Sequence, residues 1–363
     1  MKKSILLLGA FLATVAIAQA KEIIPVPVVV EEEPVEIVEN DVILVQEQPE
    51  VFKPNGSLDL QYRYYGETEG KDRANTWNPN NDYSRTQIKG NINMTKNQSL
   101  EFRVRDYNSL NEHPMMAGSN NNGTESRFRY FYDHGKLGDS KVDLRSRVQY
   151  KNNTVDKKQN VEYQARFNFA DYMFNNDFVK TDYFEIAPTY GYTWGSNNSS
   201  NYENKLGLNL YSYFTLPLNF STEFNLYATE HFYGRDQLFN DGMNAKDKNL
   251  TLDMEFYIYN TTNLYKNGGF AVDLGFEGGY DPYTWSQEKQ FGTPKNNTVL
   301  GTDKDKYSLY ALPYVQANYA VTDNMSVYAA AGAEYRNWTI DSNKSASTWR
   351  WQPTVWAGFK TTF

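Results

Sequence analysis

The chain has 363 residues, Lys+Arg 36 against Asp+Glu 44, a formal net charge of -8 and no cysteine. Its mean hydropathy of -0.70 is too low for a helical membrane protein, and the acidic balance speaks against nucleic acid as a partner. Without cysteine there is no disulfide framework and no thiolate metal site, yet aromatics reach 16%, high for so polar a chain.

Residues 1-20 open Met1-Lys2-Lys3, run apolar from Ile5 to Ile17 and end Ala18-Gln19-Ala20. A basic start, a short apolar core and a small-x-small ending predict a secretory signal peptide cut after Ala20. The run is too short to span as a helix. Residues 21-56 are rich in Pro, Val and Glu, with the acid run Glu31-Glu32-Glu33-Pro34 and later Pro49 and Pro54. Repeated prolines and clustered acids predict an extended, solvated periplasmic arm.

From residue 57 to 363 the pattern has period two. Leu58, Leu60, Tyr62 and Tyr64 alternate with Asp59, Gln61 and Arg63. The same alternation returns at Leu100, Phe102 and Val104 against Glu101, Arg103 and Arg105, and at Val161, Tyr163, Ala165 and Phe167 against Glu162, Gln164 and Arg166. It continues through Leu206, Leu208 and Leu210, through Phe270, Val272, Leu274 and Phe276, and through a last row from Trp349 to Phe363. Such alternation marks strands with two unlike faces. It recurs as fourteen rows.

Long polar connections (66-82, 111-125, 151-160, 195-201, 230-248, 281-305, 337-347) alternate with mostly shorter ones (95-99, 135-140, 171-180, 216-218, 260-269, 320-324). This predicts an all-β fold, a transmembrane antiparallel up-and-down β-barrel of about 14 strands in the bacterial outer membrane, with external loops and periplasmic turns. Size decides which face is which. Eight strands can fill their interior with side chains, whereas fourteen enclose water. The charged rows are therefore expected around an aqueous lumen and the apolar rows against lipid. Tyr and Trp near strand ends suit the interfacial girdles.

The chain resembles the fusobacterial major outer-membrane porins of the FomA type. The resemblance rests on the Pro/Val/Glu arm, on the opening Lys53-Pro54-Asn55-Gly56-Ser57 followed by Gln61-Tyr62-Arg63-Tyr64-Tyr65-Gly66-Glu67-Thr68-Glu69, and on the last strand ending in Phe363. It implies a homotrimeric, rather non-specific, voltage-sensitive diffusion porin with a role in adhesion to other cells. Terminal Phe363 resembles the assembly signal read by the barrel-assembly machinery.

Function in a pore resides in its lumen charges. Arg63, Arg85, Lys89, Arg103, Arg105, Arg127, Arg129, Arg145, Arg147 and Arg166 fall in the first six strands, in the register expected to face inward, and predict a basic wall. Inward acids Glu185, Glu223, Asp253, Glu255, Asp273, Glu277 and Glu334 predict an acidic wall opposite. Of the first group, Arg103, Arg105, Arg127, Arg129, Arg145 and Arg147 are the candidates for the basic side of a constriction. Loops 111-125, 230-248 and 281-305 are long enough to fold inward. Inward Tyr211, Tyr213, Tyr257, Tyr259, Tyr310 and Tyr314 have two readings, a sugar-stacking track or plain strand propensity, and the second is favoured. His113, His134 and His231 lie in or beside connections, with no catalytic spacing. The expected function is general diffusion of small hydrophilic solutes and ions, without enzymatic activity or cofactor. The alternatives are a specific channel for anionic or oligosaccharide solutes, or an adhesin whose pore is incidental.

Overall fold

The computed structural model describes residues 52-69, 82-110, 122-195, 202-239, 244-289, 294-295, 298-299, 304-340 and 346-363. The expected signal peptide, nearly all of the arm, residues 111-121 of loop 111-125 and residues 290-293, 296-297 and 300-303 of loop 281-305 lie outside them. In chain order the strands are β1 (Asn55–Tyr65), β2 (Tyr83–Asn93), β3 (Gln98–Ser109), β4 (Gly123–Lys136), β5 (Asp143–Asn153), β6 (Lys158–Asn168), β7 (Lys180–Gly195) and β8 (Tyr202–Thr215). Then come β9 (Phe220–Phe239), β10 (Asn244–Asn267), β11 (Phe270–Ser286), the two-residue β12 (Pro294–Lys295) and β13 (Thr298–Val299), β14 (Asp305–Thr322), β15 (Met325–Ile340) and β16 (Ala346–Thr362).

All but β12 and β13 join one closed antiparallel barrel of fourteen strands, in which each strand pairs with its chain neighbours and β1 closes on β16. Closure leaves no unpaired edge, which a sheet in hydrocarbon requires. No helix among the described residues is long and apolar enough to cross a membrane.

The two faces are inverted relative to a water-soluble protein. Gln164 and Gln352 are 0% and 1% exposed, while Leu206 and Leu208 are each 54% exposed. A soluble fold buries the leucines and leaves the glutamines wet. Here Arg, Gln, Asn and part of the Tyr set point into the barrel, whereas Leu, Val, Ile, most Phe and outer-row tyrosines such as Tyr62 and Tyr163 cover its outside; Phe131 and Leu312 are inward exceptions. The apolar rows hold water out of nothing inside the chain; they gain from contact with lipid.

Several strands run past the boundaries that the apolar rows suggest. Residues 230-248 were expected as a loop, yet β9 and β10 remain paired out to Phe239 and Asn244. Likewise β10 and β11 pair to Asn267 and Phe270, and β15 and β16 to Ile340 and Ala346. The β9–β10 ladder shifts register between Lys248↔Phe232 and Lys246↔Gln237 and then resumes, so the described part of 230-248 belongs to strands and not to a loop. Backbone pairing needs no apolar face, so the ladder outlasts the hydrophobic alternation that reveals it in sequence.

The closing seam is held from both faces. The Gly56 N–H donates to the Phe363 carbonyl at 2.9 Å, and the Phe363 N–H to the Gly56 carbonyl at 3.1 Å. The Phe363 ring lies so close over Gly56 that a Cβ there would stand 2.8 Å from it. On the inside, Tyr328 of β15 lies flat over Gly358 of β16, where a Cβ would meet the phenol oxygen at 2.6 Å. Its hydroxyl continues to β1 and donates to Asp59 Oδ1 at 2.7 Å. One side chain thus spans three strands because the middle one has no side chain of its own.

Candidate pore lining

The ladder fixes which side chains share the interior, because residues directly opposite across strands point to the same face. Through the pairs Arg63↔Arg85, Gln87↔Arg105, Glu101↔Arg129, Phe131↔Arg147 and Arg145↔Arg166, the predicted basic residues of β1 to β6 all come to one inner surface. The predicted acids follow on the next arc, carried by β7, β9, β10, β11 and β15.

The two arcs compensate their charges differently. On the arginine arc, carboxylates missing from the sequence expectation stand among the cations. Arg103 Nη2 donates to Glu125 Oε1 at 2.7 Å, Arg145 meets Asp133 at 2.9 Å, Arg147 meets Glu162 at 2.5 Å, and Arg129 lies 3.8 Å from Glu101. Lys89 is 3.5 Å from Asp59. Neutral acceptors serve the rest: Arg105 donates to Gln87 and Arg129 to Gln149, both at 2.7 Å, and Arg85 to Gln61 at 3.3 Å. Arg63 donates to Thr354 at 2.8 Å and lies 4.6 Å over the Trp356 ring. Arg166 joins the arcs, donating to Glu185 while lying 4.2 Å over Tyr211.

Most acids of the other arc are held by neutral donors. Tyr227 donates to Glu255 at 2.8 Å, Tyr259 to Glu223 at 3.1 Å, and Tyr310 to Glu277. Thr284 donates to Asp253 at 2.5 Å, and Asn318 to Asp273 at 2.7 Å. Glu334 and Glu185 are the exceptions, Glu334 taking a hydrogen bond from Arg336 at 2.5 Å and Glu185 from Arg166 at 2.8 Å. A hydroxyl satisfies a carboxylate without cancelling its charge, so this arc keeps its negative sign. Of the expected inward tyrosines, Tyr257, Tyr259 and Tyr310 hold acids, at Asp281, Glu223 and Glu277, whereas Tyr213 donates to Ser221 and Tyr211 accepts from Gln164. Their rings also approach one another, Tyr257 lying 6.0 Å from Tyr259, which lies 6.4 Å from Tyr213.

His231 lies inside β9, well within the ladder and not beside a loop. Its Nδ1 meets Glu203 and its Nε2 lies 2.8 Å from Thr251 Oγ1. The order carboxylate, imidazole, hydroxyl has the connectivity of a nucleophilic triad. Strands on both sides pair with the backbone around Thr251, which commits its neighbours' N–H groups to the ladder among the described residues. Among the described residues no group of His, Cys, Asp or Glu is placed to hold a metal ion.

A closed fourteen-stranded barrel with an apolar outer band, a charged interior and every strand long enough to cross a bilayer is an outer-membrane β-barrel. No family model and no curated protein matches the chain. Solved structures do. The chain is similar to a bacterial polysaccharide outer membrane secretin at 11% identity, over 85% of this chain and 97% of the other, with a TM-score of 0.37. It is similar to the NanC porin at 8% identity, over 84% and 98%, TM-score 0.35, and to Omp33 of Acinetobacter baumannii at 9% identity, over 85% and 99%, TM-score 0.31. At such values no solute, partner or activity passes from them to this chain.

Proposed function

We propose that the chain is a diffusion porin, passing small hydrophilic solutes and ions through an aqueous lumen, with no chemical step of its own. The observation that carries this reading is the inverted barrel: a fourteen-stranded ring whose inner surface is charged and whose outer surface is greasy. Water filling the lumen hydrates the charges, and the bilayer accepts the outside. The basic arc on β1 to β6 and the acidic arc on β7 to β15 set up a field across the lumen, which orders water and favours polar over apolar solutes. Phe363, bound into the closing seam, is the residue proposed as the signal for the barrel-assembly machinery. Homotrimerisation, voltage sensitivity and adhesion through the external loops are proposals drawn from the resemblance to fusobacterial porins.

The test is direct. Purified full-length protein added to a planar lipid film bathed in potassium chloride should produce stepwise, long-lived conductance increments. Liposomes carrying it should swell in neutral sugars at rates that fall with sugar size. A film that stays silent under an amount of protein shown to be folded contradicts the reading.

A further inference from the structure

The register places cations side by side where the strands could have kept them apart. Lys360 of β16, Asp59 of β1, Lys89 of β2, Arg103 of β3, Arg127 of β4 and Lys151 of β5 stand directly opposite one another, strand after strand, in a single hydrogen-bonded row. Like charges directly opposite destabilise a sheet, and this row contains three such junctions in succession: Lys89 with Arg103, Arg103 with Arg127, and Arg127 with Lys151. The carboxylates nearby answer only part of it. Asp59 serves Lys89. Glu125 serves Arg103 and, at 3.9 Å, Lys151. Arg127, at the centre, has no hydrogen bond or ion pair among the described residues, and the buried Nε of Arg103 has no acceptor.

A hollow lies on this row. Its volume is about 580 Å³, and Asp59, Lys89, Arg103, Arg105, Arg127 and Lys360 contribute to its lining, with Glu101, which faces Arg129, the second carboxylate beside Asp59. Such a volume suits a small organic molecule. Donors without acceptors, repelling charges held in register and a space to fill point to a missing anion. The Arg127 guanidinium can grip two oxygens of one group while Arg103, its Nη2 held by Glu125, adds a further donor from the adjacent strand, which suits a phosphoryl or carboxylate group better than a spherical halide. Flanking Lys89 and Lys360 add charge suited to a dianion.

Resting on the porin reading above, we infer that the inner wall at Arg103 and Arg127 is a saturable binding site for small phosphate-bearing solutes. A phosphoryl dianion sits between the two guanidiniums, and its organic part lies in the hollow towards Asp59 and Lys360. The pore thus holds these solutes briefly on their way through and passes chloride without holding it.

Single-channel conductance of the full-length protein tests this with inorganic phosphate as probe. In potassium phosphate, wild-type conductance should level off with concentration, half-saturating in the millimolar range, while in potassium chloride it should rise in proportion to salt. The double variant Arg103→Gln/Arg127→Gln should raise the phosphate half-saturation point by about tenfold or abolish saturation, given the strength of charge-assisted hydrogen bonds. Arg127→Lys keeps the charge and loses the fork. It should fall between the two, and it serves where the double variant does not fold. Proportional phosphate conductance in the wild type would overturn the site. So would saturation that neither variant moves, or saturation by succinate without saturation by phosphate. Absence of conductance even in chloride would instead be a failure of the porin reading itself.

Discussion

Replacing Arg103, Arg129 and Arg145 together with glutamine should turn the pore markedly towards cations. Each substitution removes one positive charge and also uncovers a carboxylate that the arginine faces: Glu125, Glu101 and Asp133 respectively. A unit charge about 7 Å from a permeating ion is worth about 0.6 kcal/mol in bulk water, roughly a threefold change in local ion concentration. Screening reduces the sum over three sites, leaving an expected shift of the potassium-to-chloride permeability ratio of about threefold to tenfold. The reversal potential across a potassium chloride gradient reads this shift, and a reversal potential equal to that of the wild type would mean that these arginines do not face the conduction path. Arginine holds its proton throughout the usual pH range, so the wild-type preference should be insensitive to pH where the carboxylates are ionised.

The second large effect concerns stability. Leu226 and Thr229 lie on the same strand, β9, with opposite parity. Leu226 belongs to the outer row, between Leu210 and Met254. Thr229 belongs to the inner row, between Gly207 and Thr251, where the glycine leaves room for a longer neighbour. A lysine at Leu226 must place its ammonium near the middle of the bilayer, at a cost of about 2–4 kcal/mol. A lysine at Thr229 extends into hydrated lumen and should cost under about 1 kcal/mol. Urea unfolding in lipid vesicles, followed by gel mobility of the folded barrel, compares the two. Equal losses would remove the distinction between the faces.

Much of the barrel is legible in the chain because period-two alternation is set locally. Parity alone tells that Arg103, Arg105 and Glu101 share a face while Phe102 and Val104 share the other. Parity also marks Glu101, Glu125 and Glu162 as inward, yet a reading that follows arginines along the chain passes over them and overstates the basicity of that arc. Strand ends were less visible. In the outer part of the hairpin of β9 and β10 the run Gly234-Arg235-Asp236-Gln237 and the register shift between Lys246 and Lys248 break the period-two alternation, so its pattern reads as a loop. The opposition of Arg103 with Arg127 was not legible either. It depends on the register of β3 against β4, two strands joined by a long connection, and one residue of slip would put Arg103 opposite a lipid-facing position. The tyrosine-held acids are hidden for the same reason, since Tyr227 and Glu255 are joined only through the pairing of β9 with β10.

Cysteine accessibility along β9 addresses orientation most directly, because the chain has no cysteine of its own. Single cysteines at Leu226, Tyr227, Ala228 and Thr229, in protein folded into vesicles, are to be treated with a charged, membrane-impermeant maleimide. The account predicts rapid labelling at 227 and 229 and protection at 226 and 228. Labelling at 226 and 228 with protection at 227 and 229, or uniform labelling at all four, would contradict it.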